Sequence, residues 1–144
     1  MTEAGRLAAR VPRHVLVTND FPPKQGGIQS YLYELWRRLP PDCFHVLTTT
    51  YPGASDFDRV QEFPIPRCGP RLWPGRLLAA RIRELAAGPN ADLVVIDPAL
   101  PAGLVGERIG LPYVVVAHGA EISVPQRLPV SASLLKQVLS GAAA

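Results

Sequence analysis

Apolar residues fall along the chain in short unbroken runs, separated by longer stretches in which they recur at helical spacing. HVLVT (His14–Thr18), FHVLTTT (Phe44–Thr50), DLVVID (Asp92–Asp97) and YVVVA (Tyr113–Ala117) are short and rich in β-branched residues, as strands buried on both faces are. EFPIPR (Glu62–Arg67) is a weaker candidate, confined to a sheet edge by its two prolines. From Ile28 the positions Ile28, Tyr31, Leu32, Leu35, Trp36 and Leu39 form one helical stripe, which Pro40-Pro41 ends. Pro74–Ala87 suits a helix with proline in its first turn, stopped by Gly88-Pro89, and shorter helices are expected at Pro101–Ile109 and Ser133–Leu139.

Strands alternating with helices predict an α/β, Rossmann-like doubly wound parallel sheet. Residues 1–12 are expected to form a flexible N-terminus and residues 13–144 a single domain. The pattern stops at LSGAAA just after a helix, with no closing strand, so the chain is expected to be a truncated piece, incomplete at its C-terminus.

In such a sheet ligands gather at the carboxyl ends of the strands, where three polar loops are expected to meet: Asn19–Gly27, Asp97-Pro98 and His118–Glu121. Gly26-Gly27 falls where a loop becomes a helix, so backbone N–H groups and the positive end of the helix dipole would face an anion there, with no Cβ in the way. A flexible entry turn is the alternative. His118 directly follows an apolar strand and is either a ligand-contacting group or a structural residue; His14 and His45 fall at or inside strands and read as packing residues. Asp20 and Glu121 suit hydrogen bonding to polyol hydroxyls, although Asp20 equally suits a turn. His118 and Glu121 lack further ligands at metal-binding spacing, so no metal is expected.

Composition narrows the classes. With 144 residues and 47% apolar content the chain is long enough for one domain with a substantial core. The apolar runs are far too short to cross a bilayer, which points to a cytoplasmic chain. Cys43 and Cys68 show no CxxC spacing and are expected to be reduced thiols. The net charge of +3 comes almost wholly from arginine, a mild excess suited to an anionic surface or phosphorylated ligand. No basic run interleaved with aromatics suggests a nucleic-acid partner. Around Pro74–Ala87, Arg71, Trp73, Arg76, Arg81 and Arg83 flank Leu72, Leu77, Leu78, Ile82 and Leu85. Such a helix either lies on an anionic membrane or packs on the core with a solvated arginine face.

The run Asn19-Asp20-Phe21-Pro22-Pro23, followed by Gly26-Gly27-Ile28-Gln29-Ser30-Tyr31 and later by His118-Gly119-Ala120-Glu121, resembles the N-terminal domain of retaining GT-B glycosyltransferases of family four. NDFPPKQGGIQSYL is most similar to the actinobacterial mannosyltransferases that act on phosphatidylinositol mannosides, and the resemblance spans about His14 to Leu139. It implies that Gly26 and Gly27 lie against the donor diphosphate and that His118 contacts the donor sugar, with Glu121 supporting the same loop. Asp20 would lie near the acceptor and Gln29 would contact a polyol head group. The donor implied is GDP-mannose, with no cofactor; the acceptor is a phosphoinositide-type lipid at the inner face of the plasma membrane. The nucleotide-sugar domain of such enzymes, with its basic residues and paired glutamates, is absent from this sequence, so the chain alone is expected not to turn over. A non-catalytic binding remnant on the same fold is the alternative. A nicotinamide oxidoreductase is disfavoured because no GxGxxG follows the first strand.

Overall fold

The computed structural model describes residues 2–123 and 127–143. The apolar runs form four strands, β1 (His14–Thr18), β2 (Phe44–Leu47), β3 (Leu93–Asp97) and β4 (Tyr113–Val115). All pair in parallel, in the order β2-β1-β3-β4. The helices are α1 (Glu3–Ala8), α2 (Gly27–Trp36), α3 (Ala54–Arg59), α4 (Arg76–Ala87), α5 (Gly106–Ile109), α6 (Ala120–Ser123) and α7 (Pro129–Gly141), with a 3₁₀ turn at Ala102–Val105. The Rossmann-like doubly wound sheet expected from the sequence is therefore present. Helix α1 occupies part of the segment expected to be a flexible N-terminus.

Both faces of the sheet are covered, which is why its strands are apolar throughout rather than alternating. Val15, Val17, Val94 and Ile96 pack with Leu78 and Ile82 of α4, Val105 and Leu135 of α7. Leu16, Phe44, Val46 and Val95 pack on the opposite side with Leu32 and Trp36 of α2, Phe21 and Phe63. Burying each such large side chain contributes about 1.5–3 kcal/mol, so the two clusters supply the main driving force for this arrangement.

From β1 the chain moves to β2 on one side, then crosses back through α4 to place β3 on the other side of β1. Strand order thus reverses between β1 and β3, the point at which such sheets leave a crevice at their carboxyl ends.

Several elements differ from expectation. The edge strand expected at Glu62–Arg67 reduces to a single parallel bridge between Thr48 and Arg67. Pro64 and Pro66 accept hydrogen bonds from the N–H groups of Val46 and Thr48 (3.0 and 3.1 Å) but have no N–H to return, so a regular ladder cannot propagate. Helix α3 was not foreseen: ASDFDR is short, polar and buries only Ala54. The helix expected over Pro101–Ile109 is split into the 3₁₀ turn and α5, and α7 starts at Pro129 rather than Ser133, with proline in its first turn.

Candidate active site at the strand-order reversal

The β1–β3 register sets Thr18 beside Asp97, the two polar residues that end these apolar strands. The Thr18 hydroxyl donates to Asp97 Oδ2 (3.0 Å) and accepts from the Asp20 N–H (2.9 Å). Asp97 is 1% exposed, and His118 Nε2, just beyond β4, lies 2.7 Å from its Oδ1. Burial pushes the Asp97 carboxyl above the usual carboxylate range, against the hydrogen bond from Thr18 and the neighbouring His118. The nearby Asp20 carboxylate adds to the upward push.

Beyond Asp20 the loop is fixed by its own side chains. Asp20 Oδ1 accepts from Gln29 Nε2 (2.8 Å) and from Lys24 Nζ (2.9 Å). Gln29 is buried, and its amide lies against Gly26, where a Cβ would overlap it. Nothing lies within 4 Å of the position a Cβ would take on Gly27, the first residue of α2. The helix end there carries no side-chain cap and no acidic residue in its first turn, so its positive pole is unmasked by acidic side chains of that turn. One turn on, the Tyr31 ring meets the His118 ring edge-on, with centroids 5.7 Å apart and planes at 89°. Tyr31 is itself half-exposed.

His118, Asp20, Gln29, Gly26 and Gly27 thus fall in one connected set, linked through Asp97, Thr18 and Tyr31. Gly119 follows the histidine at φ +112°, a conformation that glycine takes without strain. Glu121 lies in the short helix α6, and its side chain lies outside what the structure describes. His14 and His45 sit elsewhere: His14 is buried, donating from Nδ1 to the Pro12 carbonyl and accepting from Trp36 at Nε2 (2.7 and 2.9 Å). Among the described residues no group of three or more His, Cys, Asp or Glu is placed to hold a metal ion.

Sequence reasoning did not single out Thr18, Lys24 or Tyr31 as site residues, and it named Asp97 only as part of a polar loop at the crevice. Two apolar runs that each end in one polar residue were the available signal for Thr18 and Asp97. Arg67 was also missed. Its guanidinium is largely buried, makes a bidentate pair with Asp58 (2.8 Å to each oxygen), and donates to the carbonyls of Thr49 (2.8 Å) and Pro22 (2.7 Å). It therefore anchors the start of the Pro22–Gly27 loop to the body of the domain.

A groove of about 440 Å³ lies at the N-terminal end of α4, lined in part by Leu72, Trp73, Arg76, Leu77 and Arg81. Asn19 joins the two regions by accepting the Leu72 N–H at its side-chain oxygen (2.8 Å). Leu78 and Ile82 face the core, whereas Trp73 and Leu77 are 68% and 89% exposed. No helix among the described residues is long and apolar enough to cross a membrane.

No protein-family model matches the chain. A GDP-mannose-dependent alpha-(1-6)-phosphatidylinositol monomannoside mannosyltransferase of Mycobacterium tuberculosis is 35% identical over 140 residues, covering 90% of this chain and 36% of that protein. The protein of the same description from Mycolicibacterium smegmatis is 32% identical over 139 residues, covering 86% of this chain and 35% of its own length. The chain resembles these actinobacterial mannosyltransferases. A GDP-mannose-dependent monoacylated alpha-(1-6)-phosphatidylinositol monomannoside mannosyltransferase of Corynebacterium glutamicum matches at 30% over 132 residues, covering 86% of this chain and 34% of that protein. The chain spans about 36% of the length of the first of these mannosyltransferases. The resemblance inferred from the loop and histidine motifs is thus matched by similarity along most of the chain.

Proposed function

We propose that the chain is the acceptor-side domain of a retaining GT-B mannosyltransferase that moves mannose from GDP-mannose to a phosphatidylinositol mannoside. The observation that carries this reading is the convergence of His118, Asp20, Gln29 and the open Gly26-Gly27 helix entry at the strand-order reversal. The similarity to mannosyltransferases supports the same substrate class.

In this reading residues 13–144 form the acceptor-side unit, and the nucleotide is held by a second domain. The bond between the sugar C1 and the diphosphate oxygen breaks, leaving charge on the diphosphate. Backbone amides at Gly26-Gly27 and the α2 dipole stabilise that charge as it develops. The acceptor hydroxyl attacks C1 from the face the diphosphate leaves, and its proton passes to the departing phosphate oxygen. His118 holds the donor sugar, while Asp20 and Gln29 present oxygen and amide groups to the polyol acceptor, with Glu121 on the adjoining helix α6. Neither cofactor nor metal enters these steps. The groove beside Trp73 and Leu77, rimmed by arginines, would rest on the anionic cytoplasmic leaflet and deliver the lipid's head group to Asp20.

The test is a chimaera in which this chain replaces the matching residues of the Mycobacterium tuberculosis relative, assayed for mannose transfer from GDP-mannose to phosphatidylinositol monomannoside. Transfer with an α-linked product is expected, reduced about 100-fold by Gly27→Val through loss of access to the helix amides. A folded chimaera that transfers nothing would overturn the catalytic reading and leave a binding domain without chemistry.

A further inference from the structure

The carboxylate at the end of β3 has no role in the reading above, yet it is the most deeply buried acidic group among the described residues. We propose that Asp97 is a positioning residue: it holds His118 with the Nε2 hydrogen directed into the sheet, and Thr18 steadies the carboxylate and ties it to Asp20.

Three observations carry this. The two oxygens of Asp97 face different groups, Oδ2 accepting from the Thr18 hydroxyl and Oδ1 lying 2.7 Å from His118 Nε2. At that separation a carboxylate requires the facing nitrogen to carry a hydrogen, which selects one imidazole tautomer or the imidazolium and excludes the Nδ1–H neutral form. Thr18 uses its hydroxyl in both directions, donating to Asp97 and accepting from the Asp20 N–H, so the histidine and the glycine-loop carboxylate are joined through two strand ends. An acid buried at this depth is costly unless both oxygens are engaged, and the group facing the second oxygen is a ring that is 14% exposed. The Tyr31 ring meets the same imidazole edge-on, so the histidine is restrained by a ring contact as well as by the carboxylate. What the oriented imidazole then touches rests on the transferase reading; the orientation itself does not.

The experiment is a long-range ¹H–¹⁵N correlation spectrum of the ¹⁵N-labelled 144-residue chain at pH 8, with ring signals assigned through His45→Gln and His118→Gln. His14 is an internal standard, since its Nδ1 donates to the Pro12 carbonyl and its Nε2 accepts from Trp36. The expected result is opposite tautomers in one spectrum, Nδ1–H for His14 and Nε2–H for His118. In Asp97→Asn the Nδ1–H population of His118 should rise several-fold while His14 is unmoved. Should Asp97→Asn not fold, Thr18→Val is read in its place, with a shift of the His118 Nε2 signal expected. An Nδ1–H tautomer at His118 in the unmodified chain, or a folded variant with an unchanged His118 pattern, would overturn the proposal. None of these readouts involves sugar transfer, so failure here leaves the chimaera result standing, and an inactive chimaera leaves the tautomer assignment standing.

Discussion

Gly26 and Gly27 are neighbours with different reasons to be glycine. A side chain at Gly26 would strike the Gln29 amide and push it off Asp20, so Gly26→Ala is expected to cost about 1–2 kcal/mol and lower the Tm by several degrees in thermal denaturation of the chain. Gly27→Ala meets empty space at a helical position, so the same measurement should show no loss and up to about 1 kcal/mol of gain. Opposite outcomes would show that the loop is held by something other than the Gln29–Asp20 pair. The motif was legible in the sequence because glycine pairs at helix starts are conspicuous. The division of labour within it was not, because it depends on where the Gln29 side chain folds back. Asp97 was placed by the sequence only as part of a polar loop at the crevice, and the strand register is what reveals that it faces Thr18 and His118.

Among the elements, α4 packs one face on the core yet leaves Leu77, in its first turn, 89% exposed. Of the two expectations for it, core packing holds for Leu78, Ala79, Ile82 and Ala86, while Leu77 and the preceding Trp73 stand in solvent among arginines. If this end rests on lipid, the chain should sediment with vesicles containing anionic phospholipid, and the bound fraction should fall at least several-fold when Arg71 and Arg76 become glutamate. Unchanged sedimentation of that double variant would remove the membrane role. Arg83 is the poorer choice for such a test, because its guanidinium is committed to the Arg108 carbonyl at 2.6 Å. Strands were the most readable elements, since burial on both faces makes a run apolar whatever its neighbours are. Helix α3 was unreadable because it is held by tertiary bonds such as that of Asp58 to Arg67 and not by a periodic apolar face.

For the molecule as a whole, His14 and His45 contribute to how stability responds to pH. Burial holds His14 and His45 below the ordinary imidazole pKa, so the unfolded chain binds protons more readily as pH falls below about 6.5. The folded state therefore loses stability from about pH 6.5 downward, and a series of thermal melts from pH 7.5 to 5 should show a falling Tm. His14→Gln should flatten that slope; an unchanged slope would assign the effect elsewhere. Asp97 acts in the opposite sense, since its raised pKa means that protonation at lower pH relieves a cost the folded chain carries near neutrality.

The pairing of Thr18 with Asp97 has a consequence for how the crevice comes into being. A one-residue slip between β1 and β3 would turn Asp97 to the opposite face of the sheet and separate it from both Thr18 and His118. The histidine can therefore be set only in chains whose central strands have already found their correct alignment. Misregistered molecules would lack the contact between Asp97 and His118 as well as being less stable, a check on alignment written into two adjacent strand ends.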